Sequence, residues 1–557
     1  MERVSAAHAA LAGILPSFFS EISLRVVIFC LNSAITEFNS LKAKFFIIFL
    51  FLSFQAFFLS AQTVYVIREV EFDIDGRTRP FALLSHGEFL EGERIIGQEN
   101  LDRYLALKRQ LLLNQRVLED VRIDYLLGER EEDGALPVSL LVYVKDSWNL
   151  IVLPYPRYDS NDGFSLTLKA RDYNFLGTMR PIRFDLGYRQ NDGDDTLDFS
   201  LESTTPFQAA GLDWRLRFDH YFSYTFGDPL YYQNVTGVSV DFPWQSTTFS
   251  VGLNQYLTFN EENSNEDMDI FGLSSRHLGA YASTDLFASW EIPLGIELGD
   301  FGSLAYKPSI SERINYPYGA MDDSRKPVTT FSHSIGFGRV DWIGNYRKGL
   351  LASIDNGYSW FFDRSDAPLK ISLSGNMAIH WPLSGFLGLS SRLNYRQWWH
   401  WSTENEGWIP YYYAGDRIRG VLNEHLRAER ILSFNFDLPI RVLRFWPSEW
   451  LDNESFRFFN FEMHLSPFTD LALLQGPYNR TKNAFEPSLE ETRFILDDMI
   501  HTAGLELVIF PGLFRSLYLR ASMGYNINKI RNEGMPPLRL GFIPLWDEIF
   551  IGLEHHY

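Results

Sequence analysis

Two arginines, Arg417 and Arg419, stand in the stretch 411–421, which reads YYYAGDRIRGV. Gly415 and Gly420 bracket them and no hydrophobic period runs through the stretch, so a loop is predicted. A guanidinium can bind a carboxylate through two parallel hydrogen bonds, and an arginine that folds into a confined interior needs such a partner. The residues alone leave two interpretations open: an ion pair that pins the loop inside the fold, or solvated loop charges.

No motif of a covalent or metal-dependent reaction occurs in the sequence. It has no Gly-x-Ser-x-Gly nucleophile elbow, no His-Glu-x-x-His pair and no phosphate loop. Gly336 and Gly338 lack the third glycine of a nucleotide fingerprint, and the adjacent His555 and His556 would point to opposite faces of a strand. Cys30 is the single cysteine, which excludes a disulfide scaffold. The sequence predicts a non-enzymatic protein without metal or cofactor.

The composition indicates strands with one apolar and one polar face. Aromatic residues make up 16% of the 557 residues, yet 22% are charged, and there are 39 glycines. The formal charge of −20 argues against a nucleic-acid partner, because such proteins carry a basic patch.

Residues 163–557 alternate with a period of two. In the first segment Phe164, Leu166 and Leu168 share one face, and Lys169 and Arg171 share the other. The polar faces hold charges of both signs opposite large aromatics, which is typical of a wet lumen and a lipid-facing band.

The number of strands supports a closed transmembrane barrel. About 17 candidates of about ten residues each follow Gly163, the length that a tilted membrane strand needs. If both ends of the barrel lie in the periplasm, the number must be even. We predict a mainly β fold with a 16-stranded antiparallel barrel, in which the weak candidate near Val238 is not an independent strand.

The N-terminus carries a secretory signal. Lys42 and Lys44 precede an apolar run at 45–59, and cleavage is predicted before Gln62. An uncleaved anchor is the alternative, although the run is short for a membrane span. Residues 1–40 fit no part of a signal, and a start site placed too early would explain them.

Between the signal and the barrel, residues 62–147 are predicted to form a small α/β domain of order β-α-α-β-β. The predicted elements are a strand at 64–72, a short helix at 79–84, a helix capped by Asn100 that ends near Val117, and strands at 121–127 and 138–144. The domain boundaries are thus 1–61, 62–147 and 148–557.

The order of elements in 62–147 resembles a polypeptide-transport-associated (POTRA) domain, including the passage 113–121. The barrel resembles the BamA/TamA superfamily of outer-membrane assembly and translocation proteins. In that superfamily a loop with a hydrophobic-Arg-Gly-aromatic motif enters the barrel, and its arginine meets the aspartate of a Phe-x-Asp-x-Gly strand. Residues 418–421, which contain Arg419 and Gly420, match the first motif, and residues 468–472, which contain Asp470, match the second.

Three further passages bear on this resemblance. The sequence departs from both motifs at one position each, where Val421 replaces the aromatic residue and Ala472 replaces the last glycine. Residues 172–178 resemble the end of the family's first barrel strand. The chain ends on a strand with Gly552 and a terminal aromatic, Tyr557, as outer-membrane proteins do, although His555 stands where a hydrophobic residue is usual.

The resemblance implies an outer-membrane protein with its N-terminal domain in the periplasm. It implies an assembly or insertion factor that receives unfolded clients through the POTRA-like domain and templates them at a seam between the first strand, near 164–172, and the last, 549–557. Unfolded outer-membrane or secreted proteins and outer-membrane lipid are the implied partners, and periplasmic lipoprotein accessories are compatible with it. A two-partner-type secretion pore is the alternative, and a porin-like channel is less favoured.

Overall fold

A computed structural model describes most of the chain from residue 63 onward. The described residues are 63–159, 163–191, 194–261, 277–317, 327–362, 369–402, 407–411, 418–421, 430–475, 478–479, 484–485, 494, 496, 499–515, 517–533, 539–540, 543–544 and 548–555. The predicted signal segment and its cleavage site lie outside them. The described residues divide into two compact units, of which the first contains 63–67, 92–102 and 127–138 and the second contains 68–91, 103–126 and the described residues from 139 onward.

The N-terminal elements follow the predicted order with one addition. They are β1 (Val64–Asp75), α1 (Pro80–Gly87), β2 (Arg94–Ile96), α2 (Gln98–Asn114), β3 (Leu118–Leu127) and β4 (Leu136–Asp146), and the sheet order is β2-β1-β4-β3. The prediction missed β2, since three residues are too few to show a period. Helix α2 begins at Gln98, so Asn100 is not its N-cap; the Asn100 side chain instead donates to the Ile96 carbonyl at 2.8 Å.

A closed antiparallel barrel follows. Its strands are β5 (Leu150–Asp159), β6 (Gly163–Asp172), β7 (Ile182–Asn191), β8 (Asp194–Ala209), β9 (Leu212–Thr225), β10 (Tyr231–Trp244), β11 (Thr247–Glu261), β12 (His277–Glu297), β13 (Ser303–Pro317), β14 (Val328–Ile343), β15 (Tyr346–Phe361), β16 (Leu369–Ser384), β17 (Leu387–Ser402), β18 (Gly407–Tyr411), β19 (Arg430–Asp437), β20 (Ile440–Phe445), β21 (Phe461–Gln475), β24 (Ile500–Pro511), β25 (Leu517–Asn526) and β28 (Glu548–His555). Two short hairpins lie outside the barrel: β22 (Tyr478–Asn479) with β23 (Ala484–Phe485), and β26 (Arg539–Leu540) with β27 (Ile543–Pro544). Short helices α3 (Pro447–Trp450) and α4 (Ile527–Glu533) follow β20 and β25.

The fold class is confirmed, but the predicted number of 16 strands is wrong for the described part of the chain. Thirteen strands, β5–β17, are followed by one position that β18, β19 and β20 share and then by four more, so eighteen positions close the ring. The strand at Val238 is independent, because Val238 pairs with Leu216 on one side and with Leu253 on the other. Strand β5 was missed because Pro154 and Pro156 demote a strand pattern. The number nevertheless stays even.

The two faces of the barrel wall agree with the predicted alternation. Large apolar side chains point outward, and Leu166, Leu216, Ile310 and Ile354 are each more than two fifths exposed. So much apolar surface faces a membrane rather than water. The opposite face carries ion pairs such as Arg171 with Asp185 at 2.6 Å. Among the described helices, none combines the length and apolarity needed to cross a membrane.

The seam of the barrel is not where the sequence predicted it. Strand β6, predicted as the first strand, lies between β5 and β7, and it is β5 that closes the ring against β28. Among the described residues this closing pair joins only Phe550 with Asp159 and Ile551 with Tyr158. By contrast, β5 pairs with β6 over its whole length.

Within the second unit, residues 172–178 form the turn after β6 and enclose a buried polar cluster. Asn174 is fully buried, and its Nδ2 donates to Thr78 Oγ1 at 2.7 Å and to Asp146 Oδ2 at 3.1 Å. The passage that resembles the family's first strand end therefore fixes the loop before α1 and the end of β4 to the barrel.

In a second contact of the same unit, Arg116 donates to the Arg515 backbone and the Arg515 side chain donates to the backbone of β3. The Arg116 guanidinium donates to the carbonyls of Arg515 and Gly344, the latter at 3.2 Å, and to the Asn345 side chain at 3.1 Å. The Arg515 side chain in turn donates to the Leu118 carbonyl at 3.1 Å. Helix α2 and β3 are thereby held to the turns after β14 and β24.

Candidate functional site

The loop at 418–421 lies against the inner wall of the barrel. Gly420 adopts φ +87°, a conformation that favours glycine. A Cβ at this position would lie 2.8 Å from the Gly524 carbonyl carbon and 2.8 Å from the Tyr525 nitrogen. Only backbone can approach backbone so closely, so two glycines, one on the loop and one on β25, let the loop touch the wall.

Arg419 binds Asp470 in the predicted bidentate manner. Nε donates to Oδ2 at 2.9 Å and Nη2 donates to Oδ1 at 2.7 Å. The backbone N–H of Arg419 also donates to Oδ2, at 3.0 Å. Asp470 lies on β21 and is fully buried, while the Arg419 side chain is 14% exposed. The structure thus brings together the three latch residues predicted from the sequence, Arg419, Gly420 and Asp470.

Other groups around the guanidinium were missed by the sequence reasoning. Arg419 Nη1 donates to Asp437 Oδ1 at 2.6 Å and reaches Glu506 Oε2 at 3.4 Å. The guanidinium carbon lies 3.7 Å from the centre of the Phe468 ring, a cation–π contact. The sequence does indicate a role for Asp437, because the alternating stretch FNFDL at 434–438 puts its carboxylate on the polar face of the strand that follows the loop.

The ion pairs continue beyond the loop. Glu506 on β24 also accepts a hydrogen bond from Arg520 Nε at 2.7 Å. Arg520 lies on β25, directly opposite Gly552 of β28 in the strand register. The polar contacts of Arg419 thus reach β25, the strand that pairs with the seam strand β28.

An apolar cluster packs beside the ion pairs and accounts for both departures from the family motifs. Ile418, Val421, Ala472 and Ile500 are buried together, and Leu474 packs against them. Val421 stands where the motif has an aromatic residue and Ala472 where it has a glycine, so the two changes meet in one cluster. A smaller side chain at one position leaves room for an added methyl group at the other.

The remaining predicted site residues are only partly described. Gly552 lies in β28 and pairs with Arg520, but Tyr557 and Arg417 lie outside the described residues. The prediction that Tyr557 forms a C-terminal assembly signal therefore stays a prediction.

The arrangement around Arg419 is suited to holding a loop. Its carboxylates are engaged with arginines: Asp470 and Asp437 with Arg419, and Glu506 with Arg520. Across the described part of the chain, no group of three or more His, Cys, Asp or Glu side chains is placed to hold a metal ion.

Comparison with known proteins gives similarity in structure only. No family model matches the sequence, and no curated protein sequence is significantly similar to it. Solved structures that resemble the chain include BamA from Haemophilus ducreyi lacking POTRA domains 1–3, at 12% identity and a TM-score of 0.39 over 88% of this chain and 84% of that one. CdiB from Acinetobacter baumannii matches at 13% identity and a TM-score of 0.43, over 88% and 73% of the two chains. CdiB from Escherichia coli matches at 12% and 0.44, over 88% and 76%.

The described part of the chain is thus a closed antiparallel β-barrel with a loop held against its inner wall by the Arg419–Asp470 pair.

Proposed function

We propose that this chain is an outer-membrane protein-assembly or insertion factor of the BamA/TamA type. It acts without forming or breaking covalent bonds. Its periplasmic POTRA-like domain receives an unfolded client by adding the client as a strand to a sheet edge. The barrel seam then provides backbone hydrogen bonds on which client strands form.

The observation that carries this proposal is the combination of a pinned loop and a short seam. Among the residues that the structure describes, a ring of eighteen positions is closed by two residue pairs between β5 and β28. Strands β21, β24 and β25, which precede β28 in the ring, are tied to the loop through Asp470, Glu506 and the backbone of Gly524. A wall held from inside on one side of the seam can keep its shape while the seam opens.

A protein-secretion pore is the second candidate, and the lining of the lumen favours it. A recess of about 440 Å³ is lined by small hydroxyl side chains, among them Ser309, Ser332, Ser372 and Ser374, with Lys307, Asp355 and Arg396 nearby. Such a wall offers an extended polypeptide hydrogen-bonding groups and, among the lining residues, no large aliphatic side chain on which to stop.

Depletion of the protein, followed by quantification of the outer-membrane proteome, separates the two functions. Assembly predicts a broad loss of other barrels. Loss of a single secreted protein with the barrels intact would favour secretion and overturn the leading proposal. As a control, the depleted cells are complemented with the Arg183→Ala variant. This variant should restore the outer-membrane proteome, because Arg183 forms only a partly exposed pair with Glu202 at 3.4 Å.

A further inference from the structure

We infer that the two edges of the seam are not equivalent: β28 offers an open backbone edge at Leu553 and His555 to an incoming client strand, whereas β5 is blocked by Pro154 and Pro156. This inference rests on the proposed function and specifies the part of the seam on which it would act. The occupant is an extended segment of an unfolded outer-membrane protein.

The direction of each backbone group in β5 follows from its pairing with β6. The register places Leu150 opposite Asp172 and Asp159 opposite Gly163. Asn149, the residue before β5, continues this register: its carbonyl accepts a hydrogen bond from the Tyr173 N–H at 3.0 Å. In an antiparallel ladder every second residue bonds to a given neighbour. The odd-numbered residues of β5 therefore bond to β6, and the even-numbered ones point toward β28.

Both prolines of β5 are even-numbered. Pro154 and Pro156 thus have their nitrogens on the seam side, where a proline has no N–H to donate. This explains why β5 pairs fully with β6 in spite of two prolines. It also explains why the seam pairing stops after Tyr158, which pairs with Ile551.

Continuing the seam register shows what is blocked. From the Tyr158–Ile551 pair, the next two hydrogen-bonding positions would place Leu553 opposite Pro156 and His555 opposite Pro154. Each of these pairs would lack one donor, and the proline ring would occupy the place of the missing hydrogen. Pro154 and Pro156 thus occupy two successive hydrogen-bonding positions of β5, and they keep this half of the seam from closing.

Strand β28 has no such block. Its other edge is paired with β25, where Leu553 lies opposite Leu519 and His555 lies opposite Leu517. On the seam side, the backbone groups of Leu553 and His555 have no partner strand among the described residues. Lipid tails cannot satisfy backbone N–H and C=O groups, whereas an added β-strand satisfies all of them.

Site-specific photo-cross-linking tests which edge receives the client. A photoreactive amino acid is placed at Leu553 on β28 or at Val152 on β5 in the full chain, reconstituted in phospholipid vesicles, and an unfolded outer-membrane barrel protein is added. We expect at least tenfold more client adduct at 553 than at 152. Equal yields, a higher yield at 152, or an adduct with a second copy of this chain would each overturn the inference.

The same experiment separates this inference from the proposed function. Client adducts at 152 alone would leave an assembly function standing while refuting the choice of edge. The absence of client adducts at both positions, in a chain whose barrel is folded, would overturn both.

A proline replacement provides an independent readout without a client. In the Pro154→Val/Pro156→Val variant the missing donors return, so the seam is expected to close along β28 and to slow amide hydrogen exchange at Leu553 and His555 at least tenfold. Pro206→Val, on β8, is the matched control and should leave both amides unchanged. Unchanged exchange in the double variant, or amides already protected in the natural chain, would contradict the inference.

Discussion

Removal of the Arg419 guanidinium should release the loop at 418–421 from the barrel wall. The Arg419→Ala substitution leaves Asp470 fully buried without its bidentate partner, and it leaves Asp437 without its hydrogen bond at 2.6 Å. Breaking a buried ion pair by removing one partner costs about 3–5 kcal/mol, because the other charge stays buried and uncompensated. At about 1.4 kcal/mol per factor of ten, the loop-opening equilibrium should rise by roughly two to three and a half orders of magnitude.

Thiol labelling measures this opening directly. Val421 is buried, and the only cysteine of the sequence, Cys30, lies in the predicted signal region, so Val421→Cys provides a reporter for maleimide. Labelling of the reporter should be slow in the natural background and faster by about a hundredfold or more with Arg419→Ala. Asp470→Asn should have a smaller effect, since Asp437 continues to bind the guanidinium.

Matched variants decide whether the effect is specific. Arg183→Ala removes a lumenal pair whose side chains are 36% and 51% exposed, and partly exposed pairs contribute about 0–1 kcal/mol. It should leave the labelling rate unchanged. If Arg419→Ala labels no faster than this control, the bidentate pair does not hold the loop and the reasoning fails.

Three further predictions concern the loop tip and α1. Gly420→Ala should release the loop, because the new Cβ would lie 2.8 Å from the Gly524 carbonyl carbon of the wall. Gly211→Ala is the control: with φ +75° and open space around the Cβ, it should show only local strain. The labelling rate of the thiol reporter compares the two variants. Val421→Phe should destabilise the loop by about 1–3 kcal/mol through overpacking, and adding Ala472→Gly should recover part of that loss in a double-mutant cycle by hydrogen exchange. Burial, together with the nearby Arg180 charge, lowers the pKa of His86 to about 4, against an opposing hydrogen bond to the Thr178 backbone. The unfolded chain therefore takes up the proton first as the pH falls. The contribution of His86 to the free energy of unfolding of α1 should be complete above about pH 6.5 and fall by about 2–3 kcal/mol by pH 4. Hydrogen exchange of the α1 amides measures this change, and a flat pH profile would refute it.

The sequence was sufficient where a local pattern determines the structure. Alternation along β6 placed Leu166 outward and Arg171 inward, and the resemblance of residues 418–421 and 468–472 to the family motifs implied the pair of Arg419 with Asp470, 51 residues apart. These assignments succeed because a strand has a side-chain period of two and a buried guanidinium needs a carboxylate.

The sequence was insufficient where neighbours across the sheet decide. Nothing near Gly524 indicates that it must be a glycine, because the atoms that exclude a side chain belong to Gly420, more than a hundred residues earlier. The strand number failed for a related reason. Two prolines forbid a central strand but permit one whose blocked edge faces an unpaired seam, and the position of that edge depends on the closed ring.

The loop and the seam form a single continuous set of contacts. Arg419 shares Glu506 with Arg520, and Arg520 lies opposite Gly552 in the strand whose free edge begins one residue later. An opening of the seam that moved β25 would therefore have to carry Arg520 with it and pull on Glu506. Since the Gly420 backbone also rests on Gly524 of β25, the loop opposes such a movement both by charge and by contact. The seam is then expected to open by movement of β5, whose proline edge is already unpaired, while β25 and β28 stay in place.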